Sequence, residues 1–139
     1  MEIVKKMKIP AGFFYNSVMK SVLFDIREQT GKQLTPEQLN NFSYVKTFSK
    51  SSSAKIEIEK VVENEAYHYR TSTTANDYRV QYDIKAIDSE NCEVHYTETM
   101  ESYGFLQKMN DAALGIILGF VKKRNFKKML TMIEESYPS

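Results

Sequence analysis

Five strand-like segments follow one another from Tyr44 to Ser102, with a short strand and two helical segments before them and one long helical segment after them. The five are Tyr44 to Ser49, Ala54 to Val62, Glu65 to Thr74, Asp77 to Asp88 and Cys92 to Ser102. Short polar breaks separate them, at Lys50 to Ser53, Glu63-Asn64, Ala75-Asn76 and Ser89 to Asn91, as in successive β-hairpins. This order specifies the α+β class: a curved antiparallel sheet closed by a helix, an arrangement that can enclose a pocket.

The flanking segments carry their own punctuation. In Glu2 to Ile9, residues Ile3, Met7 and Ile9 share a face broken by Lys5, with Lys6 and Lys8 opposite, and Pro10 stops the strand. Helical spacing over Ala11 to Thr30 places Phe14, Val18 and Val22 in one line, and Gly31 is the C-terminal stop. Thr35-Pro36-Glu37-Gln38 reads as a capping box that opens a second short helix running to about Phe42.

The closing helix, Phe105 to Tyr137, has one apolar stripe at Met109, Ala113, Ile116 and Phe120 and a second at Phe126, Leu130, Ile133 and Tyr137. At 3.6 residues per turn the two are rotated by roughly 100°, so the helix bends or changes partners near residues 121–125. Gly115 and Gly119 share a face and each costs up to ~1 kcal/mol relative to Ala, which a close approach by the first helix or by a ligand would offset.

Turn length predicts register. Two-residue turns at Glu63-Asn64 and Ala75-Asn76 and a three-residue turn at Ser89 to Asn91 align Ile56, Thr71, Val80 and Met100 in one row. The next rows are Ile58, Tyr69, Tyr82 and Glu98, then Tyr67, Ile84 and Tyr96. The opposite face sets Glu57 against Arg70, Glu59 against His68 with Asp83 beyond, and Arg79 against Glu101, as a solvated face would.

The inner face therefore carries Tyr67, Tyr69, Tyr78, Tyr82, Tyr96, Thr71 and Glu98 among its hydrophobes. Two arrangements satisfy that pattern: a cavity with apolar walls and a few orienting polar groups, or a solid core whose phenols reach the rim. Glu98 is the sharpest residue, because an ionised carboxylate inside a core needs a partner. It is either a ligand anchor or proton acceptor, with Tyr82 as donor, or an ordinary exposed Glu at the cavity mouth.

Composition excludes several functions. Across 139 residues, 19 Lys and Arg against 18 Asp and Glu leave a formal charge of +1, so no global field draws the chain to nucleic acid. The length leads to one domain, residues 1–139. Cys92 is the only thiol, which excludes an intramolecular disulfide and fits a reducing, cytoplasmic setting. The N-terminus lacks the apolar run of a signal peptide, and the longest uncharged apolar stretch, Ala112 to Val121, is half of the ~20 residues that a membrane span requires. No transmembrane segment is expected.

His68 and His95 fall on the outer face and Cys92 points away from His95, so no catalytic residue, metal site or cofactor is assigned. Five cations lie within Lys122 to Lys128, either a solvated helix turn or a site of weak contact with anionic membranes. Leu114, Leu118 and Val121 are candidate contacts in an oligomer whose state the residues do not specify.

This layout resembles the helix-grip fold of the START-like, SRPBCC superfamily, which includes the birch-pollen allergen, lipid-transfer domains and aromatic polyketide cyclases. The resemblance rests on Ile3 to Pro10, the paired helices Gly12 to Gly31 and Thr35 to Phe42, the strand run, and Phe105 to Tyr137. Gly119 to Arg124, Lys128-Met129-Leu130 and Ile133-Glu134 are similar to the C-terminal part of a small uncharacterised family of Gram-positive bacteria. The superfamily has seven strands, and six are counted here.

What the resemblance implies is a cavity between sheet and long helix that holds a small hydrophobic or aromatic molecule. The expected ligand-binding residues are Tyr67, Tyr69, Thr71, Tyr82, Tyr96 and Glu98 on the sheet and Met109, Ala113, Ile116 and Phe120 on the lid. The leading expectation is a non-enzymatic intracellular binder of such a ligand. One alternative is a cyclase- or hydrolase-type enzyme with Glu98 as general base, and another is a membrane-surface or protein-interaction module using Lys122 to Lys128.

Overall fold

The computed structural model describes residues 1–50, 52–74, 76–102 and 123–138. A strand β1 (Glu2–Met7) leads into helix α1 (Ala11–Thr30), and a 3-10 turn (Pro36–Gln38) leads into five consecutive strands. These are β2 (Ser43–Ser49), β3 (Ser52–Val62), β4 (Ala66–Ser72), β5 (Asn76–Ala86) and β6 (Cys92–Ser102). Helix α2 covers residues 123–135. The described strands form one curved antiparallel sheet in the order β1-β6-β5-β4-β3-β2, so the chain meanders from β2 at one edge to β6, and β1 pairs with β6 to form the other edge.

Helix α1 has the predicted bounds. Its start follows Pro10, whose φ of −62° and extended ψ suit an N-cap, and it ends where Gly31 takes φ +76° and donates its N–H to the Arg27 carbonyl at 2.8 Å. Phe14, Val18, Val22 and Ile26 are buried along one face that packs on the sheet. At β2, the Gln29 side chain accepts from the Thr47 N–H at 3.0 Å, tying helix to strand.

The second short helix is reduced to the 3-10 turn Pro36–Gln38. The capping signal is real, since Gln38 Oε1 accepts from the Thr35 N–H at 2.9 Å. The chain cannot propagate the helix because Asn41 adopts φ +65° and donates its N–H to the Ile58 carbonyl, while Phe42 accepts from the Ile58 N–H. Sheet pairing takes the backbone groups that a longer helix would have used.

The register between β3 and β4 agrees with the turn-length reading at Ile56–Thr71, Glu57–Arg70 and Ile58–Tyr69, then slips by one at a bulge over Glu59. Lys60, not Glu59, faces His68. The extra residue brings Ile58 and Val61, three apart, onto the same buried face, and the Asn40 amide satisfies the Val61 backbone with bonds of 2.8 and 3.1 Å.

Two other registers differ from the reading by two residues. Thr71 faces Tyr78 rather than Val80, because β4 and β5 close at Thr73 and Asn76 through main-chain and hydroxyl bonds. Tyr82 faces Tyr96 rather than Glu98, Val80 faces Glu98 and Arg79 faces Thr99 rather than Glu101. The β5–β6 connection is Ile87 to Asn91, held by Asp88 accepting from the Glu90 N–H and the Asn91 amide at 2.8 Å. A shift of two keeps side-chain parity, so every residue remains on its predicted face.

On the outer face His68 Nε2 meets Asp83 Oδ1 at 2.8 Å and Arg70 pairs with Asp77 at 2.8 Å. Lys5, which interrupts the apolar face of β1, extends its amine to Thr131 Oγ1 of α2 at 3.3 Å. Helix α2 is also fixed by the Lys8 N–H to Glu134 Oε2 bond of 2.8 Å, by Tyr137 packed edge-on against Phe13, and by Leu130, which is fully buried. The stripe Phe126, Leu130, Ile133 and Tyr137 thus joins the core. Met109, Ala113, Ile116, Phe120, Gly115, Gly119, Leu114, Leu118 and Val121, for which the sequence carries expectations, lie outside the described residues. No helix among the described residues is long and apolar enough to cross a membrane.

Candidate functional site

Between α1, the β2–β5 part of the sheet and α2 lies a cavity of about 920 Å³. Its walls are α1 residues Val18 and Val22, sheet residues Ile56 and Tyr67, and Met129 and Ile133 of α2. Tyr69, Thr71 and Tyr82 also border it. Tyr67 is almost completely buried and Tyr69 and Tyr82 are half-buried, so these phenols are turned to the interior of the sheet. Strand alternation explains their common face, and the register explains their order, with Tyr67 beside Tyr82 and Tyr82 beside Tyr96 in adjacent strands.

The rings form a continuous aromatic set. Tyr67 and Tyr69 have centroids 5.2 Å apart, Tyr67 and Tyr82 are 5.9 Å apart, and Tyr82 meets Tyr96 edge-on at 5.0 Å. Tyr96 lies toward β1, stacked on Phe126 of α2 at 3.9 Å, and its hydroxyl donates to Glu98 Oε2 at 3.2 Å. Glu98 is half-buried on the same face. The structure thus brings Tyr67, Tyr69, Thr71 and Tyr82 together around the cavity and sets Tyr96 with Glu98 beside it, under α2.

A polar cluster at the cavity was not anticipated from sequence. Asp25 of α1 accepts from the Tyr44 hydroxyl at 2.6 Å and pairs with Lys46 at 3.0 Å, and all three residues line the cavity. Tyr44 and Lys46 alternate on the inner face of β2, and Asp25 directly precedes the buried Ile26. The available signal was a carboxylate at the edge of an apolar helix stripe, with no indication of which strand would meet it.

Burial keeps the phenols protonated. Desolvation, followed by the Glu98 and Asp25 carboxylates, pushes Tyr69 up to about 12. Burial likewise raises Tyr82 and Tyr96, in both cases with nearby phenols and Glu98 adding to it, and burial with the Asp25 hydrogen bond raises Tyr44. The phenols therefore present hydroxyl donors at neutral pH, beside Asp25, Lys20 and Lys46 of the lining and with Glu98 close by. Cys92 is buried on the inner face, its thiol pushed up to about 11 by desolvation and then by Glu134, so it is not a thiolate nucleophile at neutral pH. Among the described residues no cluster of His, Cys, Asp or Glu is placed to hold a metal ion.

Comparison with known proteins places this architecture. The model of a family described as a domain of unknown function, DUF3284, matches residues 1–119. The chain belongs to the DUF3284 family. No curated protein sequence matches it. Among solved structures, DynU16 of the dynemicin biosynthetic locus superposes with a TM-score of 0.62 at 12% identity over 98% of this chain. The match takes in 47% of DynU16, so this DUF3284 chain spans about half of that protein's length.

Norcoclaurine synthase from Thalictrum flavum, solved with dopamine and hydroxybenzaldehyde, gives 0.55 at 7% identity, covering 100% of this chain and 88% of that one. The Zhui aromatase/cyclase from Streptomyces sp. R1128 gives 0.54 at 11% identity, covering 97% and 90%. At these identities the likeness is one of fold, and it agrees with the helix-grip arrangement that the sequence resembles.

Proposed function

We propose that this DUF3284 protein binds a small hydrophobic or aromatic molecule in the cavity between α1, the sheet and α2, without catalysis. The observation that carries the reading is the combination of volume and lining. A hollow of about 920 Å³ falls within the range of small-molecule sites, and its lining couples apolar walls to a few convergent polar groups. A ligand ring would lie against Tyr67, Tyr69 and Tyr82, with Thr71 beside them. Its polar end would meet either the Asp25–Tyr44–Lys46 cluster or the Tyr96–Glu98 pair. That norcoclaurine synthase, a protein of the same fold, was solved with two aromatic molecules supports the choice of ligand class.

A cytoplasmic setting fits the single buried thiol of Cys92. The test is native mass spectrometry of protein purified from its source, alongside titration with the fluorophore anilinonaphthalene sulfonate. A co-purified small molecule, and fluorophore binding abolished by Val22→Phe in a variant of unchanged circular dichroism, are the expected results. Empty protein together with equal fluorophore binding by Val22→Phe would refute the reading. Glu98→Gln divides the two polar ends: weakened binding of a donor-bearing ligand assigns that end to Glu98, and unchanged affinity assigns it to Asp25 and Lys46.

A further inference from the structure

The mouth of the cavity and the basic face of α2 are continuous. Lys123, Arg124, Lys127 and Lys128 line a second hollow together with Thr131 and Met132, and Met132 also lines the first. Around α2, at about 100° per residue, the buried stripe is followed by the cations, then Met132, then Met129, and then the stripe again. The two methionines therefore stand between the basic face and the cavity. Across the mouth, Phe24 of α1 and Phe48 of β2 supply the other lip, with Lys20 and Lys46 beside them.

These lips are exposed: Phe24 by 65%, Phe48 by 58% and Met132 by 69%. Phe48 stands out where the β2–β3 pairing slips between Thr47 and Ser49. Large apolar side chains gathered at one opening are not the scattered singles of an ordinary surface. Among the described residues lining the two hollows there are six cations and one carboxylate, Asp25, which Tyr44 and Lys46 already engage. Glu135 lies further along α2, and Glu134 is held by the Lys8 N–H.

From this we infer that the cavity mouth is a docking surface for an anionic lipid bilayer, with Phe24, Phe48, Met129 and Met132 entering the headgroup region and the α2 cations pairing with lipid phosphates. Apolar tips ringed by cations match an interface that is negative at its surface and apolar just beneath it. An acidic protein would need the cations but not the exposed apolar tips, and a nucleic acid could stack on the rings but would make no use of the exposed methionines. The surface works whether or not the cavity is filled, so it is separable from ligand binding.

The test is co-sedimentation of the full chain with phosphatidylglycerol–phosphatidylcholine vesicles and with pure phosphatidylcholine vesicles, at low and high salt. The expected result is binding to the anionic vesicles that weakens with salt, little binding to neutral ones, and a loss on the order of thirtyfold for Lys127→Gln with Lys128→Gln. Phe24→Ser with Phe48→Ser should also weaken binding, and Val22→Phe should leave it intact. Equal binding to both vesicle types, or no binding by the wild type, overturns the inference. So does full retention by the phenylalanine variant, which marks a purely ionic site for an acidic macromolecule. Loss in Val22→Phe alone would mean that the cavity captures a lipid chain, which also overturns docking.

Discussion

The two halves of the sheet are built from the same alternation of apolar and aromatic residues, yet one is filled and the other is hollow. Toward β1 and β6, Met7, Cys92, Val94 and Leu130 are buried to 1% exposure or less, and Phe126 stacks on Tyr96. Toward β2 to β4, Tyr44, Ile56, Tyr69 and Thr71 face open volume. Among the described residues the difference lies in what stands opposite: α2 presses Leu130 and Phe126 into the first half, whereas Val18 and Val22 of α1 and Met129 and Ile133 of α2 face the second across the cavity. An inner-face pattern alone does not distinguish core from cavity; the covering element does.

The sharpest way to break that contrast is truncation in each half. Leu130→Ala should cost about 3 kcal/mol, since it removes a fully buried side chain and leaves a void in a packed region. Val22→Ala, on the cavity wall, should cost about 1 kcal/mol, the transfer contribution without a new void. Urea denaturation measures both, and equal losses would mean that the two halves are equally packed.

Alkaline titration sharpens the comparison next. Tyr69 is raised to about 12 by burial and its carboxylate neighbours, so the folded state holds a proton that the unfolded chain releases near pH 10. This contribution to stability is complete below pH 10 and disappears as pH rises toward 12. Stability measured across that window should fall, and Tyr69→Phe should make the fall shallower. An unchanged slope in the variant would place Tyr69 in solvent.

Tyr44→Phe removes the hydroxyl that Asp25 accepts and should cost about 1 kcal/mol by thermal denaturation, while shifting ligand affinity if Asp25 anchors the polar end. The smallest effect belongs to the outer face. Asp83→Asn, which loses the exposed partner of His68, should change stability by about 0.5 kcal/mol or less and leave ligand binding unaltered. A larger loss there would show that the solvated face also supports the cavity.

Particular residues show where sequence reading succeeds. Pro10 and Gly31 delimit α1 at the residues predicted because each acts through its own backbone chemistry. The faces of β4 to β6, and of β3 as far as Ile58, were legible because parity survives a register shift of two, whereas the one-residue bulge at Glu59 exchanges the faces beyond it. The registers themselves were less so: Thr73 hydrogen-bonds Asn76, and Asp88 organises a five-residue loop, choices made among competing local bonds. The second helix failed against sheet pairing at Ile58. The Asp25–Tyr44–Lys46 cluster left only a carboxylate at the edge of the α1 stripe as its signal, because nothing local tells which strand α1 will meet.

Local chemistry, acting within a few residues of each position, determined the order of elements, the ends of α1 and the side of the sheet on which each tyrosine stands. Only the tertiary structure decided which strand Asp25 would reach, where the pairing would bulge, and which half of the inner face would stay open. Those outcomes depend on how far apart two rigid elements come to rest, a distance set by the summed packing of many side chains and encoded at no single position.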